Sequence, residues 1–194
     1  MRIISGAYRG RALAAPPGQT TRPTSDRARE AVFNMLEHAP WSPGLADARV
    51  IDLFAGSGAL GLEALSRGAA FCLFVETEPG ARGVIRQNTE TLAPSGDLFG
   101  RTRIHRRDAT DLGPRPSSDG VPFSLAFLDP PYRQGLGERA LAELASGGWL
   151  AGGAVAVFER GSDEPEPAAT PGFERLDDRR YGAARVFFLR YVGG

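Results

Sequence analysis

Short apolar runs alternate with helix-forming segments from Arg49 to the end of the chain, and few folds accommodate such an alternation. Parallel strands need crossover connections of a dozen or more residues, usually helical, and the segments between most of these runs have that length. The pattern therefore predicts an open, mostly parallel α/β sheet. The sequence predicts strands at residues 50–54, 71–75, 103–105, 123–128, 154–158 and 184–191.

The part of the chain before Arg49 has a different pattern. Two extended runs within residues 2–13 predict a β-hairpin. Apolar residues at helical spacing in residues 28–36 then predict a helix. We therefore expect an N-terminal hairpin and arm in residues 1–24 and one α/β domain in residues 25–194, a division that suits a chain of 194 residues.

Composition narrows the class of protein further. An apolar content of 42% supports a self-sufficient core, and no apolar run approaches the roughly 18 residues of a membrane span. The single cysteine, Cys72, excludes an internal disulfide framework. One cysteine and two histidines do not make a zinc site of the usual kind. We therefore expect a cytoplasmic monomer that has no metal centre and does not bind a membrane.

The formal net charge is zero, but the charges are unevenly distributed. Residues 1–25 carry four arginines and no acid, whereas residues 159–178 carry seven acids and two arginines. A protein polarised in this way can present one face to a polyanion and turn the other away. Charge alone leaves an ordinary solvated surface equally open.

A glycine-rich turn follows the first predicted strand. Gly56, Gly58 and Gly61 fit the pattern GxGxxG at the start of a helix. Such a turn lets a ligand approach the backbone, where the free N–H groups of the helix N-terminus face it. Glu76 ends the next strand, 20 positions after Gly56, and is suited to accept both hydroxyls of a ribose. The motif predicts a ligand that contains adenosine but does not distinguish NAD from S-adenosylmethionine.

A second motif, Asp129-Pro130-Pro131-Tyr132, follows the fourth predicted strand. Open α/β sheets bind ligands at this end of their strands. Asp129 is held extended because a proline follows it, and the two prolines stiffen the turn. The Asp129 carboxylate and the Pro130 carbonyl then form a rigid edge of acceptors beside an aromatic ring. Such an edge fits a planar amino group on a heteroaromatic ring, whereas hydride transfer would need a proton donor near a carbonyl.

Together the two motifs resemble those of the amino-methyltransferases that use S-adenosylmethionine. The opening of the chain resembles, more narrowly, the bacterial 16S ribosomal RNA guanine-N2-methyltransferases of the RsmD type, and the similarity runs from Met1 to about Tyr132. The resemblance implies a Rossmann-like class I methyltransferase fold: a mostly parallel seven-stranded sheet with helices on both faces, plus an N-terminal β-hairpin. The opening segments that carry it are residues 2–6, 8–11 and 22–34.

The same resemblance implies S-adenosylmethionine as the cofactor, S-adenosylhomocysteine as the product, and no metal. It directs the cofactor's carboxylate toward the turn at Gly56 and Gly58 and its ribose to Glu76. For Asp108, Thr24 and Arg27 an ordinary role as loop acid, helix cap or surface charge remains open. The implied cofactor-binding residues are Asp52, Phe54, Ala55, Gly56, Gly58, Glu76, Asp108, Ala109, Thr24 and Arg27.

The implied reaction is methyl transfer to the N2 amine of a guanine in 16S ribosomal RNA, within an assembling small subunit. This amine is a poor nucleophile because its lone pair is delocalised into the ring. Hydrogen bonds to Asp129 and to the Pro130 carbonyl would hold the nitrogen, and Tyr132 would stack on the extruded base. RNA would be gripped near the active face by residues of the hairpin and arm, namely Tyr8, Arg9, Arg11 and Arg22.

Two other functions remain open at this point. A DNA adenine-N6 methyltransferase could use the same Asp129 motif, although such enzymes usually carry an added target-recognition domain and none is visible in the sequence. An NAD-binding oxidoreductase or a nucleotide sensor could use the glycine turn alone.

Overall fold

The computed structural model describes residues 1–17 and 26–193. These residues form four α-helices and seven strands, which follow one another in the order that the alternation predicts except for one additional strand at Phe173–Tyr181. The helices are α1 (Asp26–His38), α2 (Ala59–Ser66), α3 (Pro79–Leu92) and α4 (Leu136–Ser146). The strands are β1 (Arg49–Leu53), β2 (Phe71–Val75), β3 (Thr102–His105), β4 (Phe123–Leu128), β5 (Leu150–Gly161), β6 (Phe173–Tyr181) and β7 (Ala184–Tyr191).

All seven strands form one sheet in the order β3-β2-β1-β4-β5-β7-β6. The first five strands in this order are parallel to one another, and β7 runs antiparallel to both β5 and β6. The central strands β1 and β4 are almost wholly buried, as the continuous apolar runs predict for parallel strands covered on both faces. The predicted fold class, a mostly parallel seven-stranded α/β sheet, is confirmed.

Helices cover both faces of the sheet and bury two apolar clusters. The first cluster holds side chains of α1, α2 and α3, such as Phe33, Leu62 and Ile85. The second holds the apolar face of α4 together with Trp149, which is fully buried. Within the described residues no helix is long and apolar enough to cross a membrane.

The N-terminal hairpin is a short antiparallel pairing. The Ile3 N–H donates to the Arg11 carbonyl and the Leu13 N–H to the Met1 carbonyl, each at 2.9 Å. Ile3 and Leu13 are buried in the cluster that also contains α1, α2 and α3. The hairpin therefore shares its core with the sheet, while the proposed boundary at residue 24 lies outside the described residues.

Two details differ from the sequence prediction. The strand β6 lies in a segment to which the prediction assigned none. It is the edge strand of the sheet, and its alternating charges leave most of its side chains partly or fully exposed. The second difference is that β5 extends from residue 150 to residue 161, beyond the apolar run at 154–158. The strand β6 and the end of β5 pair antiparallel with β7, and the start of β5 pairs with β4 at Leu150 and Phe123, none of which an apolar pattern reveals.

Candidate active site

A cavity of about 860 Å³ opens at the carboxyl ends of β1, β2, β3 and β4. This is the edge at which open α/β sheets bind ligands, and the volume is that of a site for a small molecule. Most of the predicted site residues line it together. They are Asp52, Phe54, Ala55, Gly56, Glu76, Asp108, Ala109, Asp129, Pro130 and Tyr132.

The glycine turn is built as the motif predicts. Phe54, which precedes the turn, has a φ of 58°, a left-handed conformation that costs about 1–3 kcal/mol for a residue with a side chain. Gly58 has a φ of 77° and begins α2. A Cβ atom on Gly61 would lie 2.5 Å from both Cys72 Sγ and Phe74 Cε1, so the helix packs on β2 without room for a side chain. Gly58 shapes the turn but is not part of the cavity wall.

Glu76 is tied to the turn by both of its carboxylate oxygens. Oε2 accepts the Gly56 N–H at 2.8 Å, and Oε1 accepts the Glu78 N–H at 2.9 Å. The prediction that the N–H groups of the turn are free for a ligand is therefore wrong for Gly56. Each oxygen of a carboxylate can accept more than one hydrogen bond, so Glu76 can still receive two hydroxyl groups from the cavity.

Asp52 is buried below the turn. Its Oδ2 accepts the Gly61 N–H at 3.0 Å, which fixes the start of α2 above β1. Burial, with a smaller contribution from the nearby Glu76 carboxylate, raises the pKa of Asp52 to about 8, and the Gly61 hydrogen bond limits the rise. Asp52 is thus a carboxyl group in the cavity wall whose charge depends on what binds beside it.

The motif at the end of β4 faces the same cavity. Pro130 is buried, and Asp129 is half-buried and lines the cavity. Burial raises the pKa of Asp129 well above its usual value, and the carboxylates of Glu159 and Asp52 add to the effect. A positive charge in the cavity would oppose this shift and favour the ionised form.

Glu159 belongs to the site although the sequence analysis did not select it. The Tyr132 hydroxyl donates to Glu159 Oε1 at 2.7 Å, and Glu159 is only 7% exposed. In the sheet, Leu128 of β4 pairs with Phe158 of β5, so the residues that follow them lie side by side. Tyr132 is half-buried, and its pKa is raised by burial and by Glu159. The position one residue past a predicted strand is the signal that could have identified Glu159.

Asp108 lies across the cavity, after β3. Its Oδ1 accepts both the N–H and the hydroxyl of Thr110, each at 2.8 Å, and these bonds lower the pKa of Asp108. The carboxylate is therefore ionised and held in a fixed turn. Ala109, which follows it, is buried in the cavity wall.

The hairpin residues predicted to contact RNA lie away from the cavity. The Tyr8 N–H donates to Ser66 Oγ at 3.0 Å, at the last residue of α2, whereas the glycine turn is at the other end of that helix. Tyr8 is 8% exposed. The Arg11 guanidinium bonds the carbonyl of Leu92, the last residue of α3, and Arg9 is exposed. Tyr8, Arg9 and Arg11 are thus not part of the cavity wall, although Met1 and Ala15 of the same segment are. The contact of Tyr8, Arg9 and Arg11 with RNA stays a prediction.

The structure describes only one of the two N-terminal residues implied to bind the cofactor, Thr24 and Arg27, and their role stays a prediction. Thr24 and Arg22 fall outside the described residues. Arg27 is exposed and is not part of the cavity wall as described, whereas Arg29, two positions later, is buried and lines it. The buried face of α1 contains Arg29 and Phe33 in addition to apolar residues at the predicted helical spacing, such as Val32. Arginine at that helical spacing is a signal that the sequence analysis overlooked.

The strand order, the glycine turn and the acidic cavity define a Rossmann-like fold of the class found in methyltransferases. The solved structure of the Escherichia coli protein yhhF has a TM-score of 0.83 and 34% identity, covering 100% of this chain and 99% of that one. The fold also resembles that of the methyltransferase-like protein SMU.776, solved with S-adenosylhomocysteine, at 14% identity and a TM-score of 0.62 over 84% of this chain and 49% of that one. This last likeness concerns the fold alone.

The chain belongs to the family described as Conserved hypothetical protein 95, which it matches over residues 1–190. It is 40% identical over 159 residues to ribosomal RNA small subunit methyltransferase D of Escherichia coli strain K12, covering 82% of this chain and 74% of that protein. The resemblance to the RsmD-type methyltransferases is thereby confirmed.

Proposed function

We propose that this protein transfers a methyl group from S-adenosylmethionine to the N2 amine of a guanine in 16S ribosomal RNA. The observation that carries the proposal is that the acceptor edge of Asp129 and Pro130 lines the same cavity as Glu76 and the glycine turn. A group that accepts hydrogen bonds from an amine is thus next to a site built for a nucleoside. The name of the Escherichia coli relative supports ribosomal RNA of the small subunit as the substrate.

The cavity fits the cofactor by the chemistry of its wall. Glu76 is placed to receive ribose hydroxyls, and Asp108 and Ala109 form a wall suited to the adenine. Asp52 and Asp129 are buried carboxyl groups whose ionised forms a cation would stabilise. When bound, S-adenosylmethionine supplies an electrophilic methyl group on a positively charged sulfur, so the wall and this cofactor are electrostatically matched.

Asp129 and Pro130 act on the amine of the base. The ionised Asp129 carboxylate and the Pro130 carbonyl accept its two N–H groups and hold the nitrogen toward the cavity. A hydrogen bond to a charged acceptor contributes about 1.5–3 kcal/mol. Placement of the nitrogen in line with the electrophile then supplies most of the rate gain. With S-adenosylmethionine bound, a C–N bond would form as the C–S bond breaks, and the amine proton would leave along its hydrogen bond to Asp129.

Tyr132 is the platform for the base. Its ring is held by the hydrogen bond to Glu159. A base that stacks on an aromatic ring gains about 1–3 kcal/mol, which offsets part of the cost of leaving its helix. The RNA would reach this platform within an assembling small subunit, in the cytoplasm, with the protein acting as a monomer.

Replacement of Asp129 tests the proposal. We expect Asp129→Ala to lose methyl transfer while it binds S-adenosylhomocysteine as the wild type does, because the residue acts on the amine. The assay is transfer of tritiated methyl to small subunits from cells that lack the gene, with identification of the labelled nucleoside and calorimetry for binding. Asp97→Asn, an exposed acid in the loop after α3, is the matched control.

The same assay separates the alternatives. Label in N2-methylguanosine supports the proposal. Label in N6-methyladenine of DNA, or full activity of Asp129→Ala, would overturn it. Stabilisation by NADH in place of S-adenosylhomocysteine would assign the site to an oxidoreductase or sensor.

A further inference from the structure

Arg29 is a buried cation in the wall of the cavity. It lies in α1 with 2% of its surface exposed, on the same helix face as Val32, Phe33 and Leu36. Burying an arginine among apolar side chains costs free energy unless its charge is paired, so a buried arginine is expected to have a partner. Burial lowers the pKa of Arg29.

The protein satisfies this guanidinium only in part. One terminal nitrogen, Nη2, donates to the Arg2 carbonyl and to Asp26 Oδ1, the latter at 3.0 Å. Asp26 is itself shared, since Arg2 Nε lies 3.4 Å from its other oxygen. Within residues 1–17 and 26–193, Arg29 Nε is buried and meets no hydrogen-bond acceptor. Two guanidinium groups thus share the Asp26 carboxylate, and the Glu63 carboxylate also acts on Arg29, but Arg29 Nε still lacks an acceptor.

The other charged side chains in the cavity wall are mostly acidic, although Arg107 also lines it. Asp52, Glu76, Asp108 and Asp129 all line it. A ligand that fits both parts therefore carries a cationic centre and, at one end, an anion. The turn at Gly56 is a poor place for that anion because Glu76 already occupies its N–H with a carboxylate. Arg29 is a wall residue whose buried Nε donor has no acceptor among the residues that the structure describes.

We propose that Arg29 binds the α-carboxylate of the cofactor's methionine moiety. This inference rests on the proposed function, because it requires S-adenosylmethionine as the ligand. A carboxylate and an RNA phosphate offer the same chemistry to a guanidinium, and the experiment distinguishes these two sources. The carboxylate is favoured because it belongs to the same molecule as the cationic sulfur and the nucleoside that the acidic side chains of the cavity wall suit, whereas a phosphate would come from a second ligand.

The test compares two ligands that differ in the amino acid. S-adenosylhomocysteine carries the α-carboxylate, and 5′-methylthioadenosine has the same nucleoside and thioether without it. We expect Arg29→Met to weaken S-adenosylhomocysteine by about 10- to 100-fold, the range of a lost charge-assisted hydrogen bond, and to leave 5′-methylthioadenosine unchanged. Arg29→Lys should recover part of the affinity. Arg86→Met, at an exposed position on α3, is the matched control. Isothermal calorimetry measures all four proteins.

Each other outcome overturns the inference in a distinguishable way. Equal weakening of both ligands by Arg29→Met would assign Arg29 a structural role only. Unchanged S-adenosylhomocysteine affinity with a raised KM for the RNA would assign the donor to a phosphate. Wild-type protein that binds the two ligands equally would refute the carboxylate site and leave the proposed function standing. Wild-type protein that binds neither would refute the proposed function itself.

Discussion

Asp52→Asn should make the folded protein more stable than the wild type above neutral pH. The amide can accept the Gly61 N–H as the carboxylate does, so the helix start is kept. It cannot ionise, however, and the ionisation of Asp52 is what the folded state opposes. Asp52 is 2% exposed, so solvent does not screen it.

The size and sign of the effect follow from the pKa. An aspartate has a pKa of about 3.9 in the unfolded chain, whereas Asp52 has a pKa of about 8 in the folded protein. Between these values the folded state binds more protons, so the stability of the wild type falls as the pH rises. One pKa unit corresponds to about 1.4 kcal/mol, which gives an upper bound of about 5 kcal/mol at pH 8. Below about pH 4 the effect vanishes, because both states are protonated.

Urea unfolding of both proteins at a series of pH values between 5 and 9 measures this difference. The stability of Asp52→Asn relative to the wild type should grow steadily up to about pH 8 and then level off. Asp47→Asn is the control, because Asp47 is exposed and asparagine tolerates its positive φ. A difference that stays constant across the series would show that Asp52 is not held in its neutral form.

Two further predictions concern the base platform and the hairpin. Tyr132→Phe and Glu159→Ala should each lower kcat for methyl transfer. The double variant should be no worse than the poorer single variant, because both changes remove the same hydrogen bond. Additive losses in single-turnover assays would contradict this coupling. Replacing Arg9 and Arg11 together by alanine should weaken RNA binding and reduce its logarithmic salt slope by about 1–2, if each arginine meets a phosphate. Arg180→Ala, on exposed β6, should leave the slope unchanged, and an unaltered slope in the double variant would remove the hairpin from RNA binding.

The order of the elements was predictable because buried parallel strands and amphipathic helices leave periodic apolar patterns. The strand β6 leaves none. It pairs on one side only, with β7, and carries the charged run Glu174–Arg180. Its extended conformation therefore depends on pairing with β7 and not on an apolar pattern of its own. Edge strands of this kind are blunted by charge, which hides them from a search for apolar alternation.

The site was predictable where one short motif places its own residues, as at the glycine turn and at Asp129. It was less predictable where a residue depends on a neighbour in space. Glu159 is brought to Tyr132 by the register of β4 and β5. Arg29 reaches the cavity because it lies on the side of α1 that packs against the rest of the protein. The charge of the hairpin indicated a partner, but it did not reveal that Tyr8 bonds the last residue of α2.

The two hydrogen bonds of Glu76 bear on how mutagenesis of this pocket is interpreted. An alanine scan would credit any drop in nucleoside affinity at this position to the missing ribose partner. The same replacement would also release the Gly56 and Glu78 amides and loosen the junction between two neighbouring secondary-structure elements. Recognition and scaffolding are therefore confounded in one side chain, and only ligands that lack the ribose hydroxyls can separate them.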